Sequence, residues 1–576
     1  MPPPADDSTS RFALRGRLVT LDPDDTVIED GILYGSGRLI EALRPAAAEA
    51  PPGFEQIVPV ETGGTVYPGL IELHNHLPYG VLPLWQVPKK YGNRSQWGGS
   101  RNPAYHGLVT GPMTVLGQDP QLMPAVVRYV EAKALVNGTT TSQGIALFSN
   151  TGARRMYRGV IRNIEQTDDA DLPEASSRIA DVEATDAEQF VGRLNKSRRL
   201  LLHLAEGTDD DARAHFQALE FQPGKWAITE NLVGIHCTAL TASDFEILAR
   251  HGGSMVWSPL SNLLLYGRTA DIAAAKKAHV LMGLGSDWSV SGSKGLLGEL
   301  KAARLASAAA GDVFTDQELV AMATRDAARI LRWDQALGSL RPGLRADVLV
   351  VDGIVGDPYT TLIDTRDTGV QLVMIDGVAR YGTRKLLQLL APGAPLEEPV
   401  SGAPADRALN LRDPSADPVV AGLTLAEATR RLSTALADLP LLASRADRAP
   451  LAEAPLMEAP LMEVPDTEVP DTEVPGAEVP GAEAPDTEVR WQLALDEVLP
   501  TGAELRPRLP LLTAAGTPQP TGPDIGPAPT PLAEAVQAPV TLDGLTASAD
   551  IAFLTALAHE ANLPADYGAE LSRLLS

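Results

Sequence analysis

The chain has 576 residues, 44% of them hydrophobic, so it exceeds one ordinary domain and holds material for a large core. Its formal net charge of −26 argues against nucleic acid and anionic membrane surfaces as partners, since both require a basic face. A single cysteine, Cys237, excludes an intramolecular disulfide and suits a reducing compartment.

The opening Met1-Pro2-Pro3-Pro4-Ala5-Asp6-Asp7 has neither the basic region nor the apolar core of a secretory signal. No window approaches the roughly 18 continuous apolar residues of a membrane span. A cytoplasmic protein is therefore expected. Residues 11 to 45 alternate apolar and polar positions around turns, as in Phe12 to Leu21 and Gly31 to Ile40, and read as short antiparallel strands. Gly35-Ser36-Gly37 reads as a hairpin turn, because no helix carrying a further fingerprint glycine follows it. Residues 1–65 are thus the first part of a β-domain.

From residue 66 to about 335 short apolar runs alternate with amphipathic helical stretches, the signature of repeated βα units. Candidate strands are Gly69 to His76, Gly138 to Ala146, Gly159 to Glu165, Ser177 to Val182, Leu200 to Glu206, Leu232 to Cys237, Ser254 to Ser258 and Val280 to Asp287. Eight strands suggest a (β/α)8 TIM barrel, although no clear helix separates the third from the fourth. Residues 336–385 return to strands and turns, in Gly338 to Asp352 and Val370 to Gly377, and are expected to pair with the N-terminal strands into one small composite β-sandwich.

A helical extension is expected over 386–450. Residues 454 to 488 then contain seven consecutive pentads, APLME twice, VPDTE twice, VPGAE twice and APDTE once. Proline at every fifth position removes helix and sheet as options, so 451–490 reads as a disordered, acidic linker whose pentads reach about 100 Å at full extension. In the last segment, 491–576, the helical spacing of Ile551, Leu554, Leu557, Leu571 and Leu574 predicts terminal helices that dock somewhere apolar, on this chain or in a homo-oligomer.

Polar groups fall at the ends of several predicted strands. His74-Asn75-His76 ends the run beginning at Val66, and imidazoles at i and i+2 on a strand project from one side as a chelating pair. His203 and Glu206 close Leu200 to Gly207, His236 ends Leu232 to His236, and Asp287 ends Val280 to Asp287. In a closed barrel all these ends face one mouth. Each alone reads equally as a capping or turn residue; the shared edge is what argues for a site.

His74, His76, His203 and Asp287 offer three neutral nitrogens and one carboxylate, a set suited to one divalent metal ion, zinc or iron(II), with a position left for water. Asp287 can accept a proton from that water, Glu206 can carry it to a leaving nitrogen, and His236 can polarise the atom under attack. The thiol of Cys237, beside His236 in an apolar run, reads as buried filler.

The loop after His76 is rich in aromatic and basic residues, with Tyr79, Trp85, Lys89, Tyr91, Arg94, Trp97, Tyr105 and His106. It could form a lid that stacks a planar ring or clamps an anion, or pack as an ordinary surface loop. Tyr79, Trp97, His106 and Ser291, together with His236, are the candidates for substrate contact. Gly292-Ser293-Lys294-Gly295 lacks the spacing of a phosphate-binding loop.

The sequence resembles the amidohydrolase superfamily, in the branch of cytosine, guanine and S-adenosylhomocysteine deaminases and triazine hydrolases. The resemblance rests on Pro68 to His76, Gly138-Thr139-Thr140-Thr141, His203-Leu204-Ala205-Glu206, His236-Cys237, Ser258-Pro259-Leu260-Ser261-Asn262 and Gly285-Ser286-Asp287, and covers about residues 10 to 385. It implies a mononuclear site, in keeping with a fourth strand that offers no lysine, and a hydrolase acting on a C–N bond of a small nitrogenous substrate. Deamination and ring opening of a cyclic amide both remain open on this reading, as does a catalytically silent barrel that serves in binding or assembly. The aromatic loop departs from the deaminases and leaves the substrate undefined.

Overall fold

The computed structural model describes residues 10–98, 102–151, 153–179, 181–182, 184–196, 198–399, 403–420, 422–448, 489–495 and 531–576. The chain opens with four strands, β1 (Arg11–Val19), β2 (Val27–Ser36), β3 (Leu39–Pro45) and β4 (Val60–Pro68). The central region follows with β5 (Leu70–Ile71), β6 (Thr139–Ser142), the hairpin β7 (Ala146–Ser149) and β8 (Arg154–Met156), β9 (Arg162–Asn163) and β10 (Ser176–Arg178). It continues through β11 (Leu200–Leu204), a small hairpin β12 (Glu220–Gln222) and β13 (Lys225–Trp226), then β14 (Leu232–His236), β15 (Ser254–Trp257) and β16 (Leu281–Leu284). After several helices come β17 (Val348–Asp352), β18 (Val370–Ile375), β19 (Val378–Thr383), β20 (Arg407–Leu409) and β21 (Trp491–Leu493).

Each of the eight strands expected in the central region has a counterpart, and all are paired in parallel. β5, β6 and β9 form one sheet; β10, β11, β14, β15 and β16 form another. Two seams bring them together. The Ala175 N–H donates to the Ile164 carbonyl at 2.8 Å on one side. On the other, the Asp287 N–H donates to the His74 carbonyl at 3.0 Å and the His76 N–H to the Asp287 carbonyl at 2.6 Å, joining the first strand to the last.

The strands are nearly continuous apolar runs because both of their faces are covered; all five residues of β14 are buried. Leu73, Leu201, Val233, Ile235 and Val256 pack with Ile330 and Leu331 of the helix Arg325–Leu331. Two expected strands differ in outline. Regular pairing in the first is confined to Leu70 and Ile71, and Gly138 to Ala146 divides between β6 and the hairpin strand β7. No helix lies between β9 and β10.

The flanks meet as the alternation suggests. Hydrogen bonding makes one continuous sheet of eight strands, in the order β20-β19-β18-β17-β4-β1-β2-β3. β4 is the hinge of this arrangement, parallel to β1 and antiparallel to β17. Register shifts interrupt the ladders along β1, β17 and β18. The sheet runs past residue 385 through β20, and the helices of the next segment are Leu425–Ala437 and Leu439–Ala446.

The pentad repeats at 454 to 488 lie outside the described residues. Beyond them β21 pairs with β7, and the helices Ile551–Ala558 and Tyr567–Leu575 pack on the same chain through Phe553, Leu554, Leu557, Leu571 and Leu575. Ile551, expected on the buried face, points outward at 76% exposure. Polar anchors fix the docking. Lys294 Nζ bonds Asp543 at 2.6 Å and Asp550 at 3.0 Å, Lys133 Nζ bonds Asp543, and the Tyr567 hydroxyl donates to the Ala302 carbonyl at 2.7 Å. Among the described residues no helix is long and apolar enough to cross a membrane.

Candidate metal centre and active site

Because the central strands run parallel, their C-terminal ends lie on one side, and that is where the polar groups gather. His74 and His76 follow β5, His203 is the fourth residue of β11, Glu206 lies two residues beyond it, His236 is the last residue of β14, and Asp287 follows β16. The chain turns sharply at these ends: Ala205, His236 and Asp287 have φ of 50°, 67° and 66°, in the left-handed region that non-glycine residues avoid. Such strain persists where surrounding structure over-determines it.

Ligand atoms of His74, His76 and Asp287 lie within 4.8 Å of one another, and so do those of His74, His203 and His236. All five residues are buried. His74 Nε2 is 3.1 Å and His76 Nε2 3.5 Å from Asp287 Oδ1, and the His74 and His203 rings are 4.7 Å apart.

Hydrogen bonds decide which nitrogens point a lone pair at this cluster. Gln143 Oε1 accepts from the Asn75 N–H at 2.9 Å, so the oxygen end of that amide also faces His74 Nδ1, at 2.9 Å. Nδ1 therefore carries the proton and Nε2 presents a lone pair toward the Asp287 carboxylate. Two acceptors facing one another at 3.1 Å is an arrangement a cation relieves.

His236 is the other way round. Asn262 Oδ1 accepts from the Thr269 hydroxyl, so its Nδ2 is the end that donates to His236 Nδ1, at 3.0 Å. The proton is then on Nε2, 3.8 Å from Glu206 Oε2, where it can donate to a substrate but not ligate a metal. His74 is common to both ligand groups, with His76 and Asp287 in one and His203 and His236 in the other, and the tautomer set by Asn262 turns the protonated nitrogen of His236 toward Glu206.

Burial, reinforced by the neighbouring His74 and His236, holds the His203 imidazole well below its ordinary range, hence neutral. Burial also lowers His236, against the pull of Glu206 and Asp287. Burial alone would raise the Asp287 carboxyl, but positive charge and a hydrogen bond from His74, then the charge of His236 and His76, hold it below the usual carboxylate range, so a proton on His74 Nε2 is the alternative to a cation at this point. Ser261 donates to its second oxygen at 2.6 Å.

The residues expected to touch substrate are distributed unevenly. Tyr79 is buried with its ring 6.3 Å from that of His76 and 5.1 Å from that of Trp288. Ser291 reaches Asp287 through Ser261, at 3.0 Å. Trp97 is buried against Trp85, Tyr105 and Trp288, and its indole N–H donates to the Tyr266 hydroxyl at 2.9 Å. His106 bonds Thr110 at 2.9 Å in the helical turn His106–Thr110, which packs against the helix Leu532–Ala535. Arg94 faces Asp181 at 3.0 Å and Glu206 at 3.6 Å, so its charge is committed to carboxylates.

Gln143, Asn262, Tyr266 and Trp288 belong to the site and escape a sequence reading. Asn262 had a signal, since it lies in the run Ser258 to Asn262 after a strand end; Tyr266 follows it by one helical turn on the same face.

Residues 198–380 match the amidohydrolase family. The match holds His203, Glu206, His236 and Asp287. The chain is 31% identical over 168 residues to a 5-methylthioadenosine/S-adenosylhomocysteine deaminase of Symbiobacterium thermophilum, covering 26% of this chain and 37% of that protein. It is 27% identical over 156 residues to an S-triazine hydrolase of Gordonia rubripertincta, covering 26% and 32%. Both alignments span about a third of the relative's length. In fold it is similar to a zinc-bound adenosine deaminase from Xanthomonas campestris, with a TM-score of 0.52 at 18% identity over 73% of this chain and 98% of that one. The chain is thus similar to the amidohydrolase family over residues 198–380.

Proposed function

We propose that the protein is a metal-dependent hydrolase that attacks a C–N bond of a small, cyclic nitrogenous substrate, with release of ammonia from a ring amino group as the leading reaction. We read the eight parallel strands as a (β/α)8 barrel whose mouth carries the site. The observation that carries the proposal is the opposed pair of lone-pair donors at His74 Nε2 and Asp287 Oδ1, beside a protonated His236 Nε2 that faces Glu206.

His74, His76, His203 and Asp287 would hold one divalent ion, with zinc first and iron(II) second on the chemistry of three imidazoles and a carboxylate. When bound, such an ion makes water a nucleophile near neutral pH. The chain's own groups do the rest. Asp287, ionised and steadied by Ser261, takes the proton of the attacking water. Glu206 takes up that proton and carries it to the departing nitrogen, and His236 donates from Nε2 to the ring atom that gains electron density. Burial of all three keeps bulk water from competing.

The relatives' names put adenine-bearing thioethers at the head of a panel that should also include pyrimidines, pterins and triazines. Ammonia release from one of these, abolished by chelation and restored by zinc or iron(II), supports the proposal. A panel without ammonia but with ring opening of a cyclic amide moves the reaction, not the site. Glu206→Gln should retain metal and lower kcat by about 10²–10⁴-fold, the usual range for a general acid–base group; unchanged kcat would remove Glu206 from the mechanism.

A further inference from the structure

We propose that Tyr266, itself held by Trp97, is a positioning residue for Glu206, and that the aromatic loop after His76 acts on the chemistry through this chain of two hydrogen bonds. The inference rests on Glu206 being the proton carrier.

Tyr266 is the last residue of the helix Pro259–Tyr266 and is buried. Its hydroxyl donates to Glu206 Oε1 at 2.7 Å and accepts from Trp97 Nε1 at 2.9 Å. An indole nitrogen can only donate and an ionised carboxylate can only accept, so the chain has one direction, Trp97 to Tyr266 to Glu206. Serial hydrogen bonds of this kind polarise one another. The phenol remains a donor, because burial, and then the Glu206 carboxylate, push its ionisation far above the ordinary range.

The geometry gives this helix a double role. Asn262, four residues before Tyr266 and so on the same face, holds His236 Nδ1 at 3.0 Å. One rigid element thereby sets both partners of the His236–Glu206 pair, whose Nε2 and Oε2 stand 3.8 Å apart. The helix stops immediately after Tyr266 at Gly267, with φ of 68°, where a residue with a Cβ would also meet the Lys90 side chain.

The loop is laced to the same point. The Arg94 N–H donates to the Glu206 carbonyl at 3.3 Å, the Thr208 N–H to the Gly92 carbonyl at 2.6 Å, and the Tyr91 N–H to the Leu265 carbonyl at 2.9 Å. Trp97 is therefore a strut and not a platform for a substrate ring. It makes Glu206 sensitive to where the loop sits.

The test is a set of variants: Tyr266→Phe, Trp97→Phe, Glu206→Gln and their pairs. Each is assayed for ammonia release with S-adenosylhomocysteine as probe, for metal content, and by crystallography. Tyr266→Phe should lower kcat by about 10–100-fold with KM within about twofold and metal retained, the pattern of a group acting in the chemical step. In the Glu206→Gln background the same change should cost less than about twofold, because a residue that acts through another loses its effect when that other is gone. Trp97→Phe should lower kcat by about 3–10-fold and add little to Tyr266→Phe. An equal loss in both Glu206 backgrounds overturns the proposal. Unchanged kcat in Glu206→Gln alone overturns the proton-carrier reading instead. Independent of any substrate, a crystal structure of Tyr266→Phe with the Glu206 carboxylate undisplaced overturns the positioning role, and a displaced one supports it.

Discussion

The strand-end site and the docked C-terminal segment are both built from buried charge, and they use it in opposite ways. At the site, His74 Nε2 and Asp287 Oδ1 face each other as acceptors in the neutral tautomer that Gln143 selects. Where residues 531–576 meet the rest of the chain, Lys133 and Lys294 both find Asp543, Lys294 also finds Asp550, and Lys133 bonds the Gly80 carbonyl. Buried charge that is fully partnered holds structure together; buried charge aimed at another group of its own kind prepares a place for something else.

Five perturbations separate the two regions. The largest effect belongs to His74→Ala and Asp287→Ala, which should reduce metal content from about one ion per chain to near none and turnover by more than about 10³-fold, while leaving the fold in place. Metal analysis beside circular dichroism checks this, and a variant with full metal and full turnover would erase the distinction drawn here.

Asp543→Ala should do the reverse. Leaving two buried ammonium groups without their shared carboxylate costs about 3–5 kcal/mol, seen in denaturant unfolding, while metal per folded chain stays constant. A change of less than about 0.5 kcal/mol would mean the segment is a surface ornament. Truncation after residue 448 should be costlier still, since it removes Asp543, Asp550 and the Tyr567 bond together.

Gln143→Leu is subtler. It abolishes the bond that fixes the His74 tautomer and should weaken zinc affinity about 10–100-fold with little effect on unfolding, measurable by chelator competition.

The smallest effect depends on pH. Burial raises the Glu299 carboxyl to about 8, with Ser293 and the Leu260 N–H pulling the other way. The folded state thus binds more protons than the unfolded one between about pH 4.5 and 8, and its stability falls as pH rises through that window. Glu299→Gln cannot titrate, so its stability relative to the parent should be near equal at pH 4.5 and greater by on the order of 1–3 kcal/mol at pH 8. A difference that does not grow with pH would show that Glu299 titrates normally.

The same contrast explains how much could be read in the sequence. His74, His76, His203, His236 and Asp287 are legible because each polar residue interrupts or ends an apolar run, and a parallel sheet turns distant run-ends into neighbours. Tyr266 hides because Leu263-Leu264-Leu265-Tyr266 reads as plain core, and Gln143 because a glutamine past a strand resembles a turn residue. The composite sheet was visible as alternation at both flanks, but its continuity was not, since register shifts leave no mark in composition. The docking of the last segment was least legible. Arg128, Glu131 and Lys133 lie on a helix that buries nearly every residue, so charges that look like a solvated face are covered by chain from far away.

The most direct test is an anomalous-scattering map of crystals grown with zinc. The account predicts one peak per chain, within bonding distance of His74, His76, His203 and Asp287, with His236 Nε2 left outside the coordination sphere. A peak ligated by His236 in place of His76 and Asp287, or no peak among these residues, would contradict it.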